Sequence, residues 1–456
     1  MILTQIGKVD KRYISMQFNE YQPLERLMRE KYSSLYSRYP AAMLVLDIEL
    51  RKVHTSRGYL AVESLRHLSK PRPTRRVLRS YFLALRYLRL PRRFSMPVLL
   101  YELPKFDGLR EAVADIAQDA AWRTKSMAVI KKYRFIVDLA VGSRLPLRAL
   151  CLQSDQFCRA ILPYVEGDLP TVVGVGEQME KLNSAVEHEI GIMQKLLLAN
   201  SVKTIFSTDD YRASGQVLYE AARRAGVNRV ALAHGYIQHP TLVSCFPGRS
   251  DTFIAWTKQQ KEDLERDLGP FKSTDIQYIG FPKIFPQSQM PPAPMTILLC
   301  ACAMFGQRLD KVRQDLFGTL AANLVRKCDA RVFVRLHPKE RALDDAAQWL
   351  RRHQLTQSGF ARLEDDLSRC HLVIGGNSSV LVEAFEYGRE AIQVEELARF
   401  EFENVHVLRL NSINSEVLER ILRSRMNKEI SAEMLAAKRE IIRSNLREIL
   451  IKSRPS

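Results

Sequence analysis

The chain has 456 residues, of which 46% are hydrophobic and 26% charged, with 20 Gly and 20 Pro. That composition excludes wholesale disorder and a collagen-like or Pro-rich fibre, and at roughly 100–200 residues per domain it implies two or three domains. Lys and Arg number 69 against 51 Asp and Glu, giving a net charge of +18, and residues 51–100 hold 13 of those bases against the single acid Glu63.

So local a charge excess points to a docking face. No run of about 18 apolar residues occurs, so no transmembrane helix is expected. The first twenty residues hold no apolar core of signal-peptide length, and a cytoplasmic chain is expected. The seven cysteines are an odd number without a CxxC pair, which supports neither a disulfide framework nor a zinc site.

In chain order, Ala41 to Ile48 and Pro97 to Leu103 are predicted strands. Between them Val77, Leu78, Tyr81, Phe82, Leu85 and Leu88 recur at helical spacing among Arg75, Arg76, Arg79, Arg86 and Arg89. This basic amphipathic helix ends near Pro91. It suits either packing on its own domain or peripheral binding to an anionic inner-membrane surface. Thr171 to Gly176 is predicted as strand and turn, and Gln178 to Ala199 as a helix. Strands at Lys203–Ser207, Arg229–Ala233, Thr252–Trp256 and Ile276–Ile279 then alternate with helices at Arg212–Ala225 and Lys258–Leu268.

Phe281 to Met295 holds five prolines, the mark of a hinge. The rhythm restarts with strands at Thr296–Ala301, Arg331–Leu336, His371–Ile374 and Ala391–Val394. Helices are predicted at Leu309–Lys327, Glu340–His353, Val380–Tyr387 and Glu429–Lys452. The expected fold class is α/β, with two Rossmann-type doubly wound domains facing a cleft. The expected division is a basic region 1–150, an acceptor-side domain 151–285, a hinge 286–295 and a nucleotide-donor domain 296–456.

Three polar clusters stand at the carboxyl ends of predicted strands, the edge at which parallel sheets bind ligands. In Ile374 to Gly388 (IGGNSSVLVEAFEYG), Gly375 and Gly376 turn the chain and a helix starts behind Asn377, Ser378 and Ser379. Unpaired N–H groups and about half a positive charge there would cradle a phosphate. A serine at this place is also the ordinary helix cap. Glu383, one turn after Ser379, is a candidate for a ribose hydroxyl. In Arg335-Leu336-His337-Pro338 the proline ends the strand and holds His337 at its edge, suited to a departing phosphate. His234-Gly235 closes the strand RVALA in the first domain, where a base for an acceptor hydroxyl is needed. Asp209 and Asp210, after KTIFS, are the alternative base or caps for the following helix. HExxH, a DxD turn and CxxC pairs are missing, and Val173 to Glu177 is half a dinucleotide fingerprint without its third glycine. Neither metal nor NAD is expected.

The segments AARRAGVNRVALAHG, TFIAWTKQQKEDLERDLG, IQYIGFP, RLHP and IGGNSSVLVEAFEYG, in this order, resemble GT-B-type glycosyltransferases of bacterial surface polysaccharides. The resemblance is to the polysialyltransferase and Kdo-transferase group and to the CDP-glycerol glycerophosphotransferases of teichoic acid, over about residues 200–395. It implies a cytidine-activated donor (CMP- or CDP-linked) whose phosphate is held by His337-Pro338 and Ser378-Ser379, with His234 as base. The Asp/Glu-Asp-Gly motif of the sialyltransferases is not reproduced; Thr208-Asp209-Asp210-Tyr211 shares only its acidic pair.

The resulting expectation is a metal-independent transferase for a capsule- or lipopolysaccharide-type glycan. It would need no cofactor beyond its nucleotide-sugar substrate, take a glycan or glycolipid acceptor, and lie on the inner membrane face through residues 51–100. A glycerophosphotransferase and a UDP-sugar epimerase of the same architecture are the alternatives. A nucleic-acid-binding protein is a third, from the pI of about 9.6, but the basic stretch lacks RNP and zinc-finger patterns, so no nucleic-acid partner is expected.

Overall fold

The computed structural model describes residues 30, 32–44, 47, 98–101, 175–199, 202–207, 213–233, 249–268, 274–281, 291, 294–300, 310–328, 330–337, 344–360, 362–376, 378–398, 402, 404–426 and 432–452. The chain divides into two compact units, Met1–Pro282 with Ile442–Ser456, and Lys283–Ile441. The second unit therefore ends before the chain does: residues 442–456, expected in the donor domain, group with the first unit.

The first unit carries a five-stranded parallel sheet in the order β1-β2-β3-β4-β5. Its strands are β1 (Val98–Tyr101), β2 (Thr204–Ser207), β3 (Asn228–Leu232), β4 (Thr252–Ala255) and β5 (Asp275–Tyr278). Ile205, Phe206, Val230, Ala231, Phe253, Ile254 and Ile276 are all fully buried, as apolar strands covered on both faces must be. The described helices of this unit include α1 (Val175–Ala199), α2 (Ala213–Arg224) and α3 (Lys258–Leu268). Arg224 at the end of α2 forks onto Glu187 of α1 at 2.7 and 2.8 Å, and Gln194 donates to the Arg224 carbonyl at 3.1 Å.

The second unit has six parallel strands in the order β11-β10-β9-β6-β7-β8. They are β6 (Thr296–Cys300), β7 (Arg331–Arg335), β8 (Thr356–Gln357), β9 (Leu372–Gly375), β10 (Glu390–Val394) and β11 (His406–Leu408). The order reverses between β6 and β9, which is the doubly wound arrangement with its switch point there. Helices α4 (Asp310–Cys328), α5 (Asp344–Arg352), α6 (Leu363–Leu367), α7 (Ser379–Glu386) and α8 (Ser415–Met426) belong to this unit, and α9 (Ala432–Lys452) ends the described chain. One apolar core joins Ile297, Leu299, Leu320, Leu324, Val334, Trp349, Ile374, Ile392, Val394 and Leu418. Among the described residues no helix is long and apolar enough to cross a membrane.

One expected strand is helix in its described residues, and the described end of a strand-and-turn reading opens a helix. Residues 41–44 and 47, within Ala41 to Ile48, are helical, as is Pro40 before them. The run is short and apolar on all sides, with Ala41, Ala42, Met43 and Leu44 buried, so periodicity alone does not distinguish strand from helix. Pro40 supplies the helical start, and the cap comes from far away: Asn183 of α1 accepts the N–H groups of Ala41 and Ala42 at 2.9 and 3.1 Å. Val175 and Gly176, read as the end of a strand and turn, open α1. The basic helix at 74–93 lies outside the described residues.

Candidate functional site

In the second unit Cys300 pairs with Gly375 on one side and Arg335 on the other. The carboxyl ends of β7, β6 and β9 are thus flush. Gly375 and Arg335 stand two strand spacings apart, ~10 Å. His337, two residues past β7, is half-buried. Described chain on both sides joins β9 to α7, so His337, Gly375, Gly376, Ser378 and Ser379 stand on one edge of the sheet, at its switch point. Asn377 lies outside the described residues.

Ser378 is the N-cap of α7, with extended backbone (φ −119°, ψ 125°) and its hydroxyl accepting from the Val380 N–H at 3.4 Å. The bond is long, and Ser378, Ser379 and Val380 are only half-buried. The first turn stands at the positive end of the helix, with the Leu381 N–H held by the Ser378 carbonyl at 2.9 Å. Deeper in α7, Leu381, Val382 and Ala384 are buried, as is Glu383 at 7% exposure. Glu383 is enclosed rather than presented on the first turn.

The far end of α7 is closed by Gly388, which takes φ +88°. The Gly388 N–H reaches the Phe385 carbonyl at 3.1 Å and the Arg389 N–H the Ala384 carbonyl at 2.9 Å, the paired bonds of a Schellman ending. Glu386 in the last turn is ion-paired with Lys438 of α9, which offsets a carboxylate at the negative end of the helix.

A buried polar network that the sequence did not single out supports the His337 strand. Arg335 ion-pairs with Asp366 of α6, and Ser358 donates to the same carboxylate. Arg335 also donates to the carbonyls of Phe360 and Arg362, each at 3.4 Å. Asp366 is 5% exposed, a setting in which an ion pair holds only when its remaining hydrogen-bonding capacity is filled. The available signal was an arginine closing the apolar strand RVFVR. At the opposite end of β9, burial pushes the Cys370 thiol up to about 12, so it is no nucleophile at neutral pH. Burial also lowers His371, whose Nδ1 accepts from the Thr296 N–H at 3.1 Å.

In the first unit, His234, Asp209 and Asp210 lie outside the described residues. Their strands are described up to Ala233 and Ser207. Trp256 anchors the end of β3, donating its indole N–H to the Ala233 carbonyl at 2.7 Å. A cavity of about 670 Å³ opens at the other edge of this sheet, among Asn228 and Arg229 of β3, Thr252 of β4 and Asp275 of β5, and runs along the edge strand β5 to Tyr278. That is the amino-terminal edge, away from the strand ends where His234, Asp209 and Asp210 follow. Among the described residues no cluster of three or more His, Cys, Asp or Glu is placed to hold a metal ion.

No known family model matches the chain, and no curated protein matches it. Solved structures do. The pneumococcal O-GlcNAc transferase GtfA in complex with UDP and GlcNAc is 12% identical over 58% of this chain and 58% of its own, with a TM-score of 0.37. The lipopolysaccharide outer core galactosyltransferase WaaB is 13% identical over 59% of this chain and 80% of its own, with a TM-score of 0.37. UDP-GlcNAc 2-epimerase from Methanocaldococcus jannaschii is 11% identical over 61% and 84%, with a TM-score of 0.39. The chain spans less than two thirds of the length of GtfA and of the matched chain of the GtfA/B complex. At identities and scores of this size the likenesses assign neither substrate nor reaction.

Proposed function

We propose that the chain is a metal-independent, GT-B-like glycosyltransferase whose second unit holds a nucleotide-activated donor. The observation that carries this reading is the opening of α7 at the switch point of the sheet, on the same edge as His337. Donor phosphate would sit on the Gly375 to Ser379 turn, stabilised by backbone N–H groups and the helix dipole. A protonated His337 would neutralise the phosphate as it departs. His234, with Asp209 or Asp210 as the alternative, would take the proton from the incoming hydroxyl of a glycan or glycolipid acceptor. A cytidine-activated donor and a role in surface-polysaccharide synthesis rest on the motif resemblance. Peripheral association with anionic lipid rests on the charge of residues 51–100.

The test is a thermal-shift panel of CMP, CDP, UDP, GDP and ADP. A ligand at 100 times its dissociation constant stabilises by ~2.7 kcal/mol. The expected result is a shift with cytidine nucleotides and little with the others. A shift with UDP alone would move the donor class, and no shift with any of the five would remove the reading. Sugar transfer to an added acceptor, rather than epimerisation of the donor, separates the transferase from the epimerase.

A further inference from the structure

Gln393 is the penultimate residue of β10, fully buried between Ile392 and Val394. A primary amide enclosed this way is costly unless both its ends are bonded. Its Nε2 donates to the Gly376 carbonyl at 3.4 Å, and its Oε1 accepts the Phe402 N–H at 3.2 Å. One side chain therefore joins the turn between β9 and α7 to the chain that follows β10. On the neighbouring strand Gln393 is in register with Gly375, so the reach to Gly376 is short.

The same turn is pressed from a second side. A Cβ on Gly376 would stand 2.7 Å from the carbonyl of Leu397 and 3.0 Å from its Cβ. Leu397 ends the 3-10 turn Glu395–Leu397. The turn that precedes α7 is thus wedged against one part of the post-β10 chain and bonded through Gln393 to another. Backbone N–H groups bind an anion well only when their direction is fixed beforehand. The neutral amide suits this place. A carboxylate would bring negative charge beside the Gly376 carbonyl and close to the site of an anion, and an apolar side chain would leave the turn untethered.

We infer that Gln393 is a positioning residue for ligand phosphate: it touches no ligand, but holds the Gly376 turn so that the first N–H groups of α7 face one point. This rests on reading that turn as the donor-phosphate site. The test uses the full chain with CDP and UDP as probes, titrated calorimetrically into wild type, Gln393→Met and Gln393→Glu, with unfolding midpoints and amide hydrogen exchange measured in parallel. Gln393→Met keeps the volume and loses both bonds. The expected result is cooperative unfolding, a dissociation constant raised about five- to tenfold, the size of one neutral hydrogen bond, and faster exchange at Val380 and Leu381.

Gln393→Glu keeps the acceptor for Phe402 and loses the donor to Gly376; it should weaken binding as much, and it gives the same comparison if the methionine variant does not fold. A folded variant with wild-type affinity and wild-type exchange at α7 would overturn the inference. Failure of the underlying site looks different: the wild type would bind neither nucleotide, or a folded Ser378→Ala, Ser379→Ala variant would bind as wild type does.

Discussion

The indole of Trp256 and the carbonyl of Ala233 meet at 2.7 Å at the end of β3, one residue before His234. Trp256 is 1% exposed, its backbone N–H is bonded to Gln260 at 2.6 Å, and its ring stands edge-on to Phe281 with centroids 5.0 Å apart. Trp256→Phe keeps an aromatic ring and removes the donor. The buried carbonyl is then left without that partner, and the expected cost is ~1–3 kcal/mol of unfolding free energy. Chemical denaturation measures it; an unchanged stability would mean that the bond does not anchor the strand end.

A second prediction concerns acid. Burial alone would raise the Glu220 carboxyl, but hydrogen bonds and charge from Arg223 and Arg224 outweigh it and hold the group down to about 2, against 4.5 ordinarily. Because the folded value is the lower one, the stabilisation is present above pH 4.5 and is lost as pH falls from there towards 2. Arg223 is 58% exposed, so screening reduces a nominal ~3 kcal/mol to about 1 kcal/mol. Wild type should exceed Glu220→Gln by that amount at pH 7 and lose the advantage across this window. A difference constant from pH 7 to pH 2 would contradict the assignment.

Most of the sheet skeleton was legible because parallel strands buried on both faces are runs such as TILLC and RVFVR, bounded by turns. Lys258–Leu268 occurs as expected to the residue, and α7, expected at Val380–Tyr387, runs Ser379–Glu386. What escaped is non-local or very short. The helix at 40–44 is capped by a residue 142 positions away. Strands β8 and β11 have two and three residues, too few for a period. Helix α8 did leave a signal: Asn414 accepts from the Val417 N–H at 3.0 Å, and Val417, Leu418, Ile421 and Leu422 follow at helical spacing. The tethers of the site, Asp366 on Arg335 and Gln393 on Gly376, join residues 31 and 17 apart, and no local pattern announces such pairs.

The glycine of the turn gives a third prediction. In Gly376→Ala the new methyl would lie 2.7 Å from the Leu397 carbonyl, a backbone atom that gives way only with its own turn. Overpacking of this kind costs ~1–3 kcal/mol. The variant should unfold at lower denaturant and bind nucleotide more weakly than wild type. Wild-type values of both would show that the close approach is not maintained in solution.

The proposed chemistry separates its two histidines. His337→Ala should lose donor affinity and rate together, because His337 would touch the donor. His234→Ala should lose ~10²–10⁴-fold in rate with donor affinity nearly unchanged, because it would touch the acceptor alone. Single-turnover transfer and nucleotide titration give the two numbers. Full turnover in His234→Ala with a dead Asp210→Asn variant would move the base to the carboxylate, and activity in both histidine variants would remove the mechanism.

The central claim is that the start of α7 binds the donor phosphate, and calorimetric titration of CDP and CMP into wild type and the Ser378→Ala, Ser379→Ala double variant tests it most directly. Loss of the Ser378 cap costs only ~1 kcal/mol, so the variant should remain folded. The account requires saturable binding to wild type and a dissociation constant raised at least tenfold in the folded variant. Equal affinity in the two proteins would contradict it.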